Sequence, residues 1–393
     1  MRLRRCAIVL VEPRERFDFA FDIILEGGSG MQSTRDWVAL AAHLREPVVL
    51  GVEEIAPLGA ISPSEWIERA EADARCGNAL VEVLLEKELL IGDDARHIAA
   101  RERDEQIRAT HWHPYTATVQ AFGRWHGVSS GEQVRSIGIE SVADLVERLG
   151  EPPPHFHDRV KAEDRIPLEN PEPTSIDDVL RRRATCRNYD TTRMLPRAMM
   201  SRILHRVFGA QAIQPVTNDV AILKKTSPSA GGLHPTEAYL LIQHVDGLAS
   251  GLYHYHVGDH ALEPLRIVDA AAAHALAMQF LAHQDWFATA HVIVILAPRF
   301  RRSFWKYREH AKVYRAVTLD VGHLSQTLQI SATEFGLGAF VTAAINEVDI
   351  EQAFDLDAMH ESPLAVCGFG WRAPVRERME FDPLHAVWPK KLG

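Results

Sequence analysis

An α+β fold, with helices flanking a mostly antiparallel sheet, is predicted by three observations in the second half of the sequence. Residues 252–257 and 261–265 read as strands joined across Gly258-Asp259, the pattern of a hairpin. Residues 291–297 are apolar and β-branched, as a central strand buried on both faces requires. Residues 309–335 keep Val313, Val317, Val321, Leu324, Leu328 and Phe335 near helical spacing. Ala316, Leu319, Ile330 and Ala332 add apolar surface around that helix, so it is expected to be buried over much of its circumference. Gly336 follows as the left-handed stop.

The remaining elements fall into place around these. Ser175-Ile176-Asp177-Asp178 resembles a capping box and opens a helix into an arginine cluster. Residues 195–208 form a second amphipathic helix, and residues 238–244 a strand. Pro152, Pro153, Pro154, Pro167, Pro171 and Pro173 break residues 151–173 into a linker, because proline fixes φ and lacks an amide donor. The chain therefore divides into an N-terminal domain (1–150), this linker, and a C-terminal domain (174–393). In the smaller N-terminal α/β or winged-helix-like domain, residues 7–11 and 47–52 are strand-like. Ser62-Pro63-Ser64-Glu65 reads as a helix start. A helix at residues 78–87 precedes a strand and turn at Glu88–Asp93, which suggests a wing hairpin. His111-Trp112-His113-Pro114 leads into a helix through Val119, Phe122 and Trp125.

The chain has 393 residues, 46% of them hydrophobic and 24% charged, an ordinary globular balance. Its net charge of -10 argues against a general nucleic-acid surface. Cys6, Cys76, Cys186 and Cys367 form no C-x-x-C pair, which fits a reducing cytoplasm and offers no zinc motif. No H-E-x-x-H spacing occurs among the twenty histidines, so no metal site is expected. The apolar run at residues 7–11 is too short for a signal-peptide core, and residues 292–297 are too short to span a bilayer.

Four stretches carry candidate chemistry. Arg183-Ala184-Thr185-Cys186-Arg187 sets two guanidinium forks and a hydroxyl near a helix end, a donor set suited to a phosphate. A solvated basic helix end would look the same. Ser227-Pro228-Ser229-Ala230-Gly231-Gly232-Leu233-His234-Pro235 lets backbone approach a flat ligand closely, or is a plain turn entering a strand. Phe304-Trp305-Lys306-Tyr307-Arg308 sets a lysine beside an aromatic hydroxyl and an arginine, which would lower its pKa and make it a base. The alternative is an exposed amphipathic segment. Glu334-Phe335-Gly336-Leu337-Gly338-Ala339 is a helix stop whose glycines would also admit a ring.

Taken in order, these pieces resemble the nitroreductase superfamily, in particular its SagB/McbC-type peptide-maturation branch. The likeness covers about half the chain, residues 174–371. Arg183 to Arg187 looks like an R-x-S-x-R phosphate motif with threonine for serine. Residues 227–237 match S-x-S-A-G-G-x-x-P-x-E, the most specific element. Gly251-Leu252-Tyr253-His254-Tyr255 looks like a G-L-Y-x-Y strand. Tyr314-Arg315 through Gly322-His323-Leu324-Ser325-Gln326 looks like a Y-R…G-H-x-x-Q helix.

The resemblance implies a nitroreductase-like, FMN-dependent antiparallel-sheet core and a homodimer. It implies that Arg183, Thr185 and Arg187 bind the FMN phosphate. Ser227, Pro228, Ser229, Ala230, Gly231, Gly232 and Gly338 would then lie against the isoalloxazine, with backbone at Ala343 and Ala344 near its reactive nitrogen. It implies Lys306 and Tyr307 as a catalytic pair that aromatises thiazoline or oxazoline rings in a ribosomally made precursor peptide. Lys306 would be a desolvated base, flavin would take the hydride, and oxygen would reoxidise it. A cyclodehydratase or other maturation enzyme would be the expected partner; the peptide or that partner would dock on the N-terminal domain, unless this domain is a structural cap on the flavin domain. The same motifs leave open a reductase using NAD(P)H on dehydroamino acids or nitro compounds. They also leave open a flavin-free scaffold of a peptide-modifying complex.

Overall fold

The computed structural model describes residues 1–19, 31–136, 142–169, 171–218 and 220–389. They form two compact units. One comprises residues 1–124, 298–319 and 355–362; the other comprises 125–297, 320–354 and 363–393. This division runs differently from the contiguous one expected, because long-range contacts decide it. In the first unit Trp112 lies 4.8 Å from Phe300 and 4.6 Å from Phe304, ring centre to ring centre, and its indole N–H donates to the Met359 carbonyl at 2.8 Å. In the second, the Trp125 and Gly127 amides donate to the Glu347 and Asp349 carboxylates, each at 2.8 Å.

The first unit holds two three-stranded sheets. In one, β1 (Arg2–Arg5) lies between β5 (Ile67–Glu68) and β6 (Leu90–Gly92). In the other, β3 (Met31–Ala41) lies between β2 (Val9–Phe19) and β4 (Val48–Leu50). Helices Val52–Ala60, Arg69–Cys76 and Asn78–Glu86 supply Leu58, Ala72, Val81 and Leu84 to a core shared with Leu3, Ala39 and Leu90. Two local expectations change here. Ser62 starts no helix; its hydroxyl accepts the amides of Ser64 (3.2 Å) and Glu65 (3.1 Å), a side-chain turn that competes with helix, and the helix opens at Arg69. The wing hairpin is replaced by a long-range pairing of β6 with β1.

The second unit is built on a six-stranded sheet of order β11-β10-β9-β12-β14-β13. Its strands are β9 (Thr236–Ile242), β10 (Gly251–His256), β11 (Ala261–Ile267), β12 (Val292–Pro298), β13 (Leu337–Thr342) and β14 (Ala365–Trp371). A separate hairpin pairs β7 (Ala212–Pro215) with β8 (Ala221–Lys224). The ladders β9–β10, β10–β11, β12–β14 and β13–β14 are antiparallel. With its flanking helices this is the α+β, antiparallel-sheet fold expected. Every residue of β12 is buried, as its uninterrupted apolar sequence requires. The edge strand β11 is mostly exposed and carries Pro264, which needs no ladder amide there.

Helix Ser175–Arg182 is capped one residue earlier than expected: the Thr174 amide (2.7 Å) and hydroxyl (2.6 Å) both donate to Asp177. Helix Arg197–Phe208 buries Met200, Ile203, Leu204 and Val207 against the sheet. The long helix spans Val313–Glu334, and Gly336 leaves it at φ 73°. Its first turns belong to the first unit, and from Asp320 onward it belongs to the second.

Candidate functional site

Two sequence-distant segments pack on opposite faces of the long helix. The arginine segment leaves helix Ser175–Arg182 and runs beside β13: Thr185 bridges Ala339 in parallel, and the Cys186 amide donates to the Ala339 carbonyl at 2.9 Å. Arg183 donates from its guanidinium to Gln329 Oε1 at 3.2 Å. Arg187 sets its guanidinium 5.9 Å from the Phe287 ring centre and gives its amide to the buried Glu380 at 2.6 Å. Cys186 is buried, which pushes its thiol pKa up and makes it a packing residue rather than a nucleophile.

The glycine loop is anchored at two points. The hydroxyls of Ser227 and Thr327 share a hydrogen bond of 2.8 Å. Ser229 donates its hydroxyl to Asp320 Oδ2 at 2.5 Å and accepts the His234 amide at 2.9 Å. The Ala230 amide donates to Asp320 Oδ1 at 3.1 Å. Gly231 and Gly232 then take φ 64° and 69°, backbone that side chains resist. A Cβ on Gly232 would meet open space, so its requirement is conformational. Lys225, Pro228, Ser229, His234, Asp320 and Leu324 line a small pocket beside the loop.

Asp320, Leu324 and Thr327 stand at i, i+4 and i+7 and so share one helix face; Gln329, nine residues from Asp320, projects from the opposite face. Asp320 is only 4% exposed. Burial raises its carboxyl above the ordinary range, and the bonds from Ser229 and Ala230 oppose that rise. Sequence reasoning missed Asp320, Lys225, Thr327 and Gln329. The available signal was a carboxylate set between Val317, Val321 and Leu324 in an apolar stripe, where a charge needs a reason.

Comparison with known proteins fits this arrangement. Residues 180–371 match the sequence model described as Nitroreductase family. The nitroreductase-named protein MJ1384 of Methanocaldococcus jannaschii is 30% identical over 205 residues, 52% of this chain and 95% of that protein. The chain belongs to the nitroreductase family. Its likeness extends to the family's peptide-processing branch. The trifolitoxin-processing protein TfxB of Rhizobium leguminosarum is 30% identical over 149 residues, and the microcin B17-processing protein McbC of Escherichia coli 24% over 156. Those alignments cover 36% and 39% of this chain, and 38% and 56% of TfxB and McbC, so they span about half or less of either relative. Among solved structures, the E. coli microcin synthetase McbBCD complex matches with TM-score 0.47 at 19% identity, over 67% of this chain and 96% of that one.

Within the nitroreductase domain, the other expected residues have the following places. A Cβ added to Gly338 would stand 2.6 Å from that of Cys186, so this glycine is required by the close approach of the arginine segment. The Ala344 amide is spent on Thr342 Oγ1 (3.2 Å) and its carbonyl on Gln284 (2.6 Å), while Ala343 is exposed. Lys306 and Tyr307 belong to the first compact unit, whereas the arginine segment and glycine loop belong to the second. The desolvation expected of Lys306 is not found: its side chain is exposed, with the ammonium 5.3 Å from the Tyr307 ring centre. Among the described residues no cluster fits a metal, and no helix is long and apolar enough to cross a membrane.

Proposed function

We propose that this nitroreductase-family protein is an FMN-dependent dehydrogenase of ribosomal peptide maturation that oxidises thiazoline or oxazoline rings to thiazole or oxazole. The observation that carries the cofactor assignment is that the arginine segment and the glycine loop are each fixed by hydrogen bonds to the long helix, one through Gln329 and the other through Thr327 and Asp320. Each segment suits one part of FMN. Two guanidinium groups and the Thr185 hydroxyl suit a phosphate, and the left-handed backbone at Gly231 and Gly232 suits a flat ring held at close range. FMN, when bound, supplies a hydride acceptor.

The chain's own residues would do the rest. Arg183, Thr185 and Arg187 hold the phosphate. Pro228, Gly231 and Gly232 face the ring, while Ser227 is buried with its hydroxyl on Thr327 and offers only backbone. Ser229 and Ala230 reach it only indirectly, since Asp320 takes both of their donors. Ala343 replaces Ala344 as the stronger candidate for a backbone contact, because both polar groups of Ala344 are internally bonded. Lys306 removes the azoline ring proton and Tyr307 orients the ring or the amine. Lys306 is exposed in the free protein, so the docked peptide is what would desolvate it. The peptide-maturation reading draws on the likeness to TfxB and McbC. A homodimer, a cyclodehydratase partner, a cytoplasmic setting and reoxidation by oxygen belong to the same proposal.

Lys306→Ala tests the base directly. It should keep the flavin and its spectrum while azoline oxidation falls by about 10²–10⁴-fold. Full activity in this variant removes the assignment. The exposure of Lys306 also favours a second reading, a reductase using NAD(P)H that needs no desolvated base. Anaerobic bleaching of the flavin by NADPH without peptide would support it. Protein that stays colourless after incubation with FMN would instead point to a scaffold.

A further inference from the structure

The segment carrying Lys306 is the most cationic stretch of the chain: residues 299–315 hold seven Lys or Arg against one Glu, in a protein of net charge -10. Its inner side is fixed by aromatics. Phe300 and Phe304 pack on Trp112, Phe300 lies 6.1 Å from Tyr314, and the Tyr314 hydroxyl donates to Gln120 at 3.0 Å. The Glu309 amide donates to the His111 carbonyl at 3.1 Å. Anchored this way, the segment turns Arg301, Lys306, Arg308, Lys312 and Arg315 outward, and all five are exposed. Among the described residues none of these five has an ion-pair partner, whereas arginines elsewhere in the same unit pair repeatedly with carboxylates. Trp305 stands among them 63% exposed. A rigid patch of unneutralised cations around one bare indole is a surface built for a partner.

We propose that this face recruits an acidic stretch of the peptide substrate, its carboxylates on Arg301, Arg308 and Lys312 and an apolar side chain on Trp305. The identity of the peptide as substrate rests on the function proposed above; the surface itself does not. Charge decides the class of partner. The rest of the chain is strongly acidic, which repels a long polyanion such as nucleic acid while leaving a short acidic segment free to dock. Lys306 and Tyr307 lie inside the same patch, so a chain held there passes beside the proposed base.

The test is fluorescence anisotropy of the full-length protein with a short labelled peptide of Asp and Glu around one Phe, against its Asn/Gln counterpart. The acidic peptide should bind and the amide peptide should not, with affinity falling steeply as salt rises. Arg301→Gln/Arg308→Gln/Lys312→Gln should weaken binding by about tenfold or more and flatten the salt dependence, with flavin content and melting temperature unchanged. Trp305→Ala should weaken it without altering the salt dependence. If the triple variant does not fold, the peptide comparison and salt titration on the wild type still decide. Equal binding of both peptides overturns the proposal. So does displacement of the acidic peptide by a DNA oligonucleotide or phosphatidylserine vesicles of equal charge at lower concentration. Acidic-peptide binding by a protein that oxidises no azoline would retain the docking face and remove the function.

Discussion

Asp320 joins the loop to the helix through two donors, and its removal would leave the Ser229 hydroxyl and the Ala230 amide without their acceptor. Each such loss costs about 1–3 kcal/mol. Asp320→Ala should therefore lower the melting temperature and weaken FMN binding at least tenfold, read by flavin fluorescence. Asp320→Asn keeps one acceptor oxygen and should fall between. Gly338→Ala would force a Cβ against Cys186 and should destabilise by about 1–3 kcal/mol in urea titration, as overpacking does. Adding Cys186→Ala should recover only part, because the Cβ–Cβ contact remains. Neither Asp320 nor the Gly338 contact was legible in sequence. Gly338 read as a ring-facing residue because a motif names the residue type, not the neighbour that demands it.

At the scale of elements, two motifs are coupled by a charge. The final residue of the glycine-loop motif, Glu237, lies on β9 and its carboxylate is 3.4 Å from His254 Nε2 on β10; Glu263 on β11 is 2.6 Å from Nδ1. Glu237 first and Glu263 second raise the His254 pKa against the opposing effect of burial. Its stabilising contribution is thus full below the unfolded value of about 6.5 and lost as pH rises through the raised folded value. The margin in melting temperature of the wild type over Glu237→Gln should therefore shrink as pH rises through that range, with Glu263 keeping part of the effect in the variant. Strand and helix types were legible here because periodicity is local: the bare apolar run of β12 and the heptad-like spacing of the long helix both translate into elements. Ser62-Pro63-Ser64-Glu65 was misread for the same reason, since a side-chain turn and a helix cap begin with identical residues.

Across the whole molecule, the family was legible because four motifs keep their order along one domain. The compact units were not, because Trp112 and Trp125 choose their partners more than 180 residues downstream. Trp112→Ala should cost about 3–5 kcal/mol, the range for deleting a buried aromatic, and should loosen the Lys306 segment that rests on it. Hydrogen exchange at residues 299–312 would register that loosening.

Mass spectrometry of a cyclised, unoxidised precursor peptide tests the flavin and the azoline chemistry at once. Incubated with FMN-loaded protein in air, the peptide should lose about 2 Da per ring, the two hydrogens taken in the flavin step. An unchanged mass with flavin demonstrably bound, or a gain of the same size, would contradict the account.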